Sequence, residues 1–127
     1  MKTIFLSAEL STLDSAENAR RSAILSGHLA MKGYNFRQLL GVYKGTKERS
    51  FAVEVTPKEV NDLLTVAKSF TQESVLIVDE KNYASLLYIA TKAKQKVGKF
   101  KIASKEVAEK LENYSFDEST GKYFVVQ

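Results

Sequence analysis

Apolar and polar residues alternate along this chain at period two in some stretches and at helical spacing in others, and the switches mark the elements. Residues 3–8 read as a first strand with Ile4, Leu6 and Ala8 on one face. Asp14 with Glu17 three residues on resembles a capping box, opening a helix that runs to about Lys32 and stops at Gly33. Its inward stripe is read as Ala16, Ala19, Ala23, Gly27 and Ala30, flanked by Ile24 and Met31. Residues 35–43 and 50–55 form the second and third strands, joined through a turn at 44–47 where Gly45 is free to take positive φ. Thr56, Pro57 and Glu59 start a second helix, in which Val60, Leu63, Leu64, Ala67 and Phe70 recur at helical spacing. Residues 74–78 are a continuous apolar strand, followed by strands at 83–90 and 96–103. Ser104 opens a short helix with Val107 and Leu111 inward, and residues 114–116 and 122–126 close the chain as a hairpin around Ser119, Thr120 and Gly121.

The first six elements run β-α-β-β-α-β, the ferredoxin-like order. The expected fold is therefore an α+β ferredoxin-like sandwich with a C-terminal strand and hairpin extension, residues 1–127 forming one domain. Two helices cover one face of such a sheet. The other face needs cover, and association sheet-to-sheet into a symmetric oligomer supplies it.

Composition narrows the chemistry. There is no cysteine, so disulfides and thiolate metal sites are excluded, and the single His28, inside a helix, argues against a histidine metal site or a Ser-His-Asp triad. No run approaches a membrane span, and Met1 to Leu6, interrupted soon after by Glu9, is too short for a signal peptide; a cytoplasmic location is expected. The net charge of +4 is partly carried by Lys92, Lys94, Lys96, Lys99, Lys101 and Lys105. With no arginine and only Phe100 interleaved, that run reads as a solvated edge that guards a strand, and nucleic acid is not expected as a partner.

The densest candidate chemistry lies between the second and third strands. A hairpin here brings Tyr43 and Glu48 near each other across the strand pair. A paired phenol and carboxylate can anchor a small cation; the alternative is a surface hairpin with a packing tyrosine and a solvated glutamate. Gly41 and Gly45 are too sparse for a dinucleotide or methyltransferase-type fingerprint.

The succession of Leu6-Ser7-Ala8, Glu17-Asn18-Ala19-Arg20-Arg21, Gly41-Val42-Tyr43 and Glu48-Arg49-Ser50-Phe51-Ala52-Val53 continues through Gln72-Glu73-Ser74-Val75-Leu76-Ile77-Val78, Leu86-Leu87-Tyr88 and Gly98-Lys99-Phe100 to Asp117-Glu118-Ser119-Thr120-Gly121-Lys122-Tyr123. Taken in order, these pieces resemble the bacteriophage S-adenosylmethionine lyases over nearly the whole chain. The resemblance implies a trimeric, PII-like assembly with sites between subunits and no cofactor or metal. It also implies cleavage of S-adenosylmethionine to L-homoserine lactone and 5′-methylthioadenosine, a phage counter-defence that depletes the host's supply. Tyr43 and Glu48 would be catalytic, the phenol against the sulfonium and the carboxylate on the amino group. Ser7, Gln72 and Ser74 would add substrate hydrogen bonds. The Tyr-to-Glu stretch is shorter than in the family, which leaves Tyr34 and Glu54 as alternative equivalents. A non-catalytic nucleotide-binding module and a protein inhibitor of a host defence system are the competing readings.

Overall fold

The computed structural model describes residues 1–43 and 45–127. Its eight strands are β1 (Lys2–Leu6), β2 (Asn35–Tyr43), β3 (Thr46–Val55), β4 (Ser74–Val78), β5 (Tyr83–Tyr88), β6 (Lys94–Ala103), β7 (Asn113–Asp117) and β8 (Lys122–Val126). The helices are α1 (Ser15–Met31), α2 (Val60–Ser69), entered through a 3-10 turn at Pro57–Glu59, and α3 (Lys105–Glu109). Among the described residues no helix is long and apolar enough to cross a membrane.

The strands close into an antiparallel barrel in the order β1-β3-β2-β7-β8-β6-β5-β4, with β4 back against β1. This overturns the ferredoxin-like βαββαβ sandwich. The first six elements do follow that order along the chain, but the sheet is not left open. The C-terminal strands, expected as an extension, bridge the free edges of β2 and β4. The sheet face that seemed to need a second copy for cover is the barrel lining. The expected lysine-guarded edge is likewise absent, because β6 pairs with both β5 and β8.

Strand alternation sorts the core into two layers. Ile4, Leu6, Phe51, Val53, Val55, Val75 and Ile77 point outward under α1 and α2, where they meet Leu25, Leu29, Leu63, Leu64 and Ala67. Phe5, Leu39, Ala52, Val78 and Ala84 point inward, with Leu76, Val97, Phe100 and Val126 against them. Gly98 allows the closure. It lies beside an irregularity in the β5–β6 ladder at φ +133°, and a Cβ there would come 2.4 Å from the backbone of Gln127. Backbone hydrogen bonds between Lys99 and Gln127 occupy that same close approach.

Local signals mostly place the elements as expected, with informative exceptions. Asp14 accepts a hydrogen bond from the Glu17 amide at 2.8 Å, but Glu17 turns its carboxylate to Arg20 and leaves the capping box half made. Glu59 closes its box by accepting from the Thr56 amide at 2.9 Å. The alanine stripe of α1 faces solvent, with Met31 91% exposed. Ser22, Leu25 and Leu29 are the buried face. In α3 the buried residue is Ala108, and Val107 is exposed. The third strand begins at Thr46 instead of residue 50, so the hairpin turn is shorter than expected; Gly45 takes φ +83°, and Lys44 lies outside the described residues.

Candidate functional site

One end of the barrel is assembled from the chain after β1, the β2–β3 hairpin and the approach to β4. Ser7, Tyr43, Glu48, Gln72 and Ser74 all line a single cavity there, of about 490 Å³. Residues widely separated in sequence thus meet in one vestibule, because β3 and β4 both pair with β1. The alternative residues do not belong to it. Glu54 lies six positions further along β3, ~20 Å at 3.4 Å per residue, where it accepts a hydrogen bond from Asn35 at 2.7 Å. Tyr34 packs against the outer helical layer.

Tyr43 stands opposite Thr46, and Gly41 stands opposite Glu48. The phenol is therefore diagonal to the carboxylate, and its ring folds back over Gly41, the residue opposite Glu48. A Cβ at residue 41 would lie 3.0 Å from the Tyr43 ring, so glycine is what lets the ring settle there. Although 44% of Tyr43 is exposed, its hydroxyl end is the part turned over the strand. Burial, with the charge of Glu48 second, pushes that phenol up to about 12. It is a neutral hydrogen-bond donor at physiological pH. Glu48 is half-buried. Desolvation and then the negative charge of Glu9 raise its carboxyl above the ordinary value, and the nearby Ser7 hydroxyl draws it part of the way back.

Sequence reasoning missed the group that organises this end. Glu9 is 9% exposed, and its Oε2 accepts from the Arg49 amide at 2.7 Å, the Arg49 guanidinium at 3.2 Å and the Ser22 hydroxyl at 3.1 Å. Its carbonyl accepts from Gln72 Nε2 at 3.1 Å. Ser7 donates to the Arg49 carbonyl at 2.8 Å and accepts from the Glu9 amide at 3.0 Å. Asn18 on α1 clamps the same loop by accepting from the Leu10 amide at 3.0 Å and donating to the Leu10 carbonyl at 2.9 Å. Ser7 and Gln72 therefore serve the scaffold as well as the cavity. The signal available was an acidic residue three positions past the end of β1, just after the apolar Ala8, where a carboxylate has no reason to sit unless it is paired. Glu9 and Glu48 also border a wider cleft of about 770 Å³ on the flank of the hairpin.

Ser50 is a further polar group of the vestibule. It is buried, it lies two residues from Glu48 on the same strand face, and among the described residues its hydroxyl has no partner. An unpaired buried hydroxyl costs free energy that a ligand can recover. The arrangement offers a neutral phenol, a carboxylate for a cation and spare hydrogen-bonding capacity, in a partly desolvated recess.

A model described as the S-Adenosylmethionine lyase family matches residues 4–127 of the chain. None of the curated proteins compared with the chain matches it.

Proposed function

The chain belongs to the S-adenosylmethionine lyase family, and from that premise we propose that it cleaves S-adenosylmethionine to L-homoserine lactone and 5′-methylthioadenosine. The observation that carries this reading is the convergence of Ser7, Tyr43, Glu48, Gln72 and Ser74 on one vestibule. In the reaction a substrate carboxylate oxygen attacks the γ-carbon, the bond from that carbon to sulfur breaks, and its electron pair stays on sulfur as a neutral thioether. No proton moves. Opposite charges are annihilated on the way to the transition state, so a recess that strips water from both favours the step. The other requirement is folding the flexible arm so that the tethered carboxylate reaches its target, which exploits a large effective molarity.

Glu48 holds the substrate ammonium, and that cation offsets the desolvation and repulsion that keep its carboxyl high in the free protein. Tyr43 presents its ring to the sulfonium. Ser50, Gln72 and Ser74 orient the arm by hydrogen bonds. In a host cytoplasm this turnover depletes S-adenosylmethionine, in keeping with a phage counter-defence. A homotrimer with sites between subunits is retained as part of the proposal on the family resemblance alone; light scattering that finds only monomer at micromolar concentration removes it.

The test is chromatography of S-adenosylmethionine incubated with pure protein. The expected product is 5′-methylthioadenosine, with solvent oxygen-18 entering the homoserine carboxylate after lactone opening. Label in the homoserine hydroxyl in early product means direct attack by water and overturns the lyase mechanism. Nucleotide binding without any methylthioadenosine favours the non-catalytic module.

A further inference from the structure

The closed barrel leaves the lysines of β6 unexplained. Lys94, Lys96, Lys99 and Lys101 are all exposed, and a free strand edge would account for them. But β6 is hydrogen-bonded to β5 on one side and to β8 on the other. Among the described residues none of the four ammonium groups lies within ion-pair distance of a carboxylate. Nor do they steer the substrate of the lyase reading, whose two positive groups outweigh its one negative group and are repelled. We propose that the outer face of β6, with Tyr83 beside it, is a binding surface for single-stranded nucleic acid, the lysines holding phosphates and the tyrosine stacking a base.

The fold builds this row of charge. Val97 and Phe100 both pack against the barrel interior although they are three positions apart. In the β5–β6 ladder Ala84 pairs with Gly98 and Ser85 with Lys96, so Val97 is an extra residue on β6. That residue carries Lys96 and Lys99 onto the same outer face, where strict alternation puts them on opposite faces. With Lys94 and Lys101 they form a positive row ~20 Å long at 3.4 Å per residue. Beside it, a recess of about 470 Å³ is lined by Lys96, Lys99, Lys101, Tyr83 and Ser85. Asp79 also borders the recess, but its Oδ1 is engaged by the amides of Lys81 and Tyr83 at 2.9 and 3.0 Å. Tyr83 is 55% exposed, with Lys99 Nζ over its ring at 5.3 Å from the centroid. An exposed cation–π contact is weaker than a stacked base. An incoming base therefore takes the ring, and the ammonium turns to the adjoining phosphate.

Three features select a nucleic-acid strand over an acidic peptide. A peptide that adds to a sheet needs a free strand edge, and β6 has none. Lysine acts on phosphate as a point charge on a flexible stem, whereas planar carboxylates are best held by the arginine fork that this row lacks. The exposed aromatic ring has a stacking partner in any base and none in a carboxylate. The missing arginine, which argued against nucleic acid on the sequence alone, thus bears on the reading of base edges and not on phosphate binding.

Fluorescence anisotropy of labelled oligothymidylate and oligouridylate, titrated with the protein over a series of KCl concentrations, tests the surface. Phosphate contacts by Lys94, Lys96, Lys99 and Lys101 are expected to give a slope of log K against log salt of about −3, at ~0.7 per contact. Lys96→Gln combined with Lys99→Gln is expected to halve that slope. Tyr83→Leu is expected to weaken binding roughly tenfold and to leave the slope in place. All three positions are exposed, so thermal melts and methylthioadenosine release are expected to match the wild type. A wild type that binds neither oligonucleotide at low salt overturns the proposal. So does a double variant that keeps the wild-type slope, or a Tyr83→Leu protein that binds as tightly as the wild type. Polyglutamate that displaces the label as well as unlabelled oligothymidylate does, or a duplex that binds as tightly, overturns the single-strand assignment. When binding is found, the tighter of the two oligonucleotides identifies DNA or RNA as the source. None of these outcomes moves the lyase reading, which is decided by methylthioadenosine release.

Discussion

Replacing Glu48 by Gln separates what this carboxylate does for the substrate from what it does to the fold. The substitution preserves size and removes charge. If Glu48 holds the substrate ammonium, the variant exchanges a charge-assisted hydrogen bond for a neutral one. Hydrogen bonds to charged groups contribute about 1.5–3 kcal/mol, which corresponds to a roughly ten- to hundredfold loss in kcat/KM. Stability is expected to move the other way. Desolvation and the charge of Glu9 raise the carboxyl of Glu48 in the folded protein above its ordinary value of 4.5. The folded state then binds more protons than the unfolded state between 4.5 and that raised value, so wild-type stability falls as pH climbs through the window and stays lower above it. The variant escapes this loss. Its Tm is expected to exceed the wild type's at pH 7, with the difference shrinking as pH falls and vanishing below about 4.5. Paired thermal melts across pH, with methylthioadenosine release measured on the same preparations, check both arms. Turnover within twofold of the wild type removes Glu48 from substrate binding. A lower Tm together with lost activity makes it a structural residue.

Glu9→Gln is expected to move the acid limb of the kcat/KM profile to lower pH, because the charge of Glu9 helps raise Glu48; an unmoved limb in a pH–rate series refutes the coupling. Gly41→Ala places a Cβ 3.0 Å from the Tyr43 ring and is expected to cost about tenfold in kcat/KM by displacing that ring, with Tm nearly unchanged in melts of the same samples. Asp117 is 1% exposed, and the Ser119 hydroxyl at 2.6 Å, with the Ser119 amide and Arg37, holds its carboxyl below the ordinary 3.8. Its stabilisation is present above 3.8 and lost as pH falls through the lower folded value, so Asp117→Asn is expected to cost about 1–3 kcal/mol at neutral pH and little in strong acid, as denaturant titrations at the two pH values will read.

What could be read from the sequence was local. The Thr56-Pro57-Glu59 opening, the closing hairpin and the convergence of Tyr43 with Glu48 follow from cap chemistry, turn residues and strand alternation, each settled within a few positions. The barrel was not readable in the same way. Period-two alternation assigns a residue to a face, but it does not say which edge a later strand will join. β7 reads as an ordinary hairpin arm until it is known to pair with β2. The face of α1 was misread because small residues suggest close packing, whereas its inward side carries polar groups employed by the loop that follows β1. Arg21 donates to the Ala8 carbonyl at 2.6 Å, and Asn18 clamps Leu10. Side chains that satisfy a loop break the apolar stripe by which an inward face is recognised. Glu9 stayed hidden for the same reason, since its partners Arg49 and Ser22 are distant in sequence.

The ladder between β2 and β7 has a consequence in time as well as in space. The vestibule lining is drawn wholly from residues up to Leu86, while a second cavity of about 290 Å³, bordered by the same Tyr43, is lined mostly by β6, β7 and β8. Tyr43 meets Asn113 only when a loop of about seventy residues has closed, and pairings of such long range form late because the chain entropy is lost before the contact rewards it. A growing chain therefore brings the residues of the vestibule together early and closes the barrel only when the final strands zip the seam.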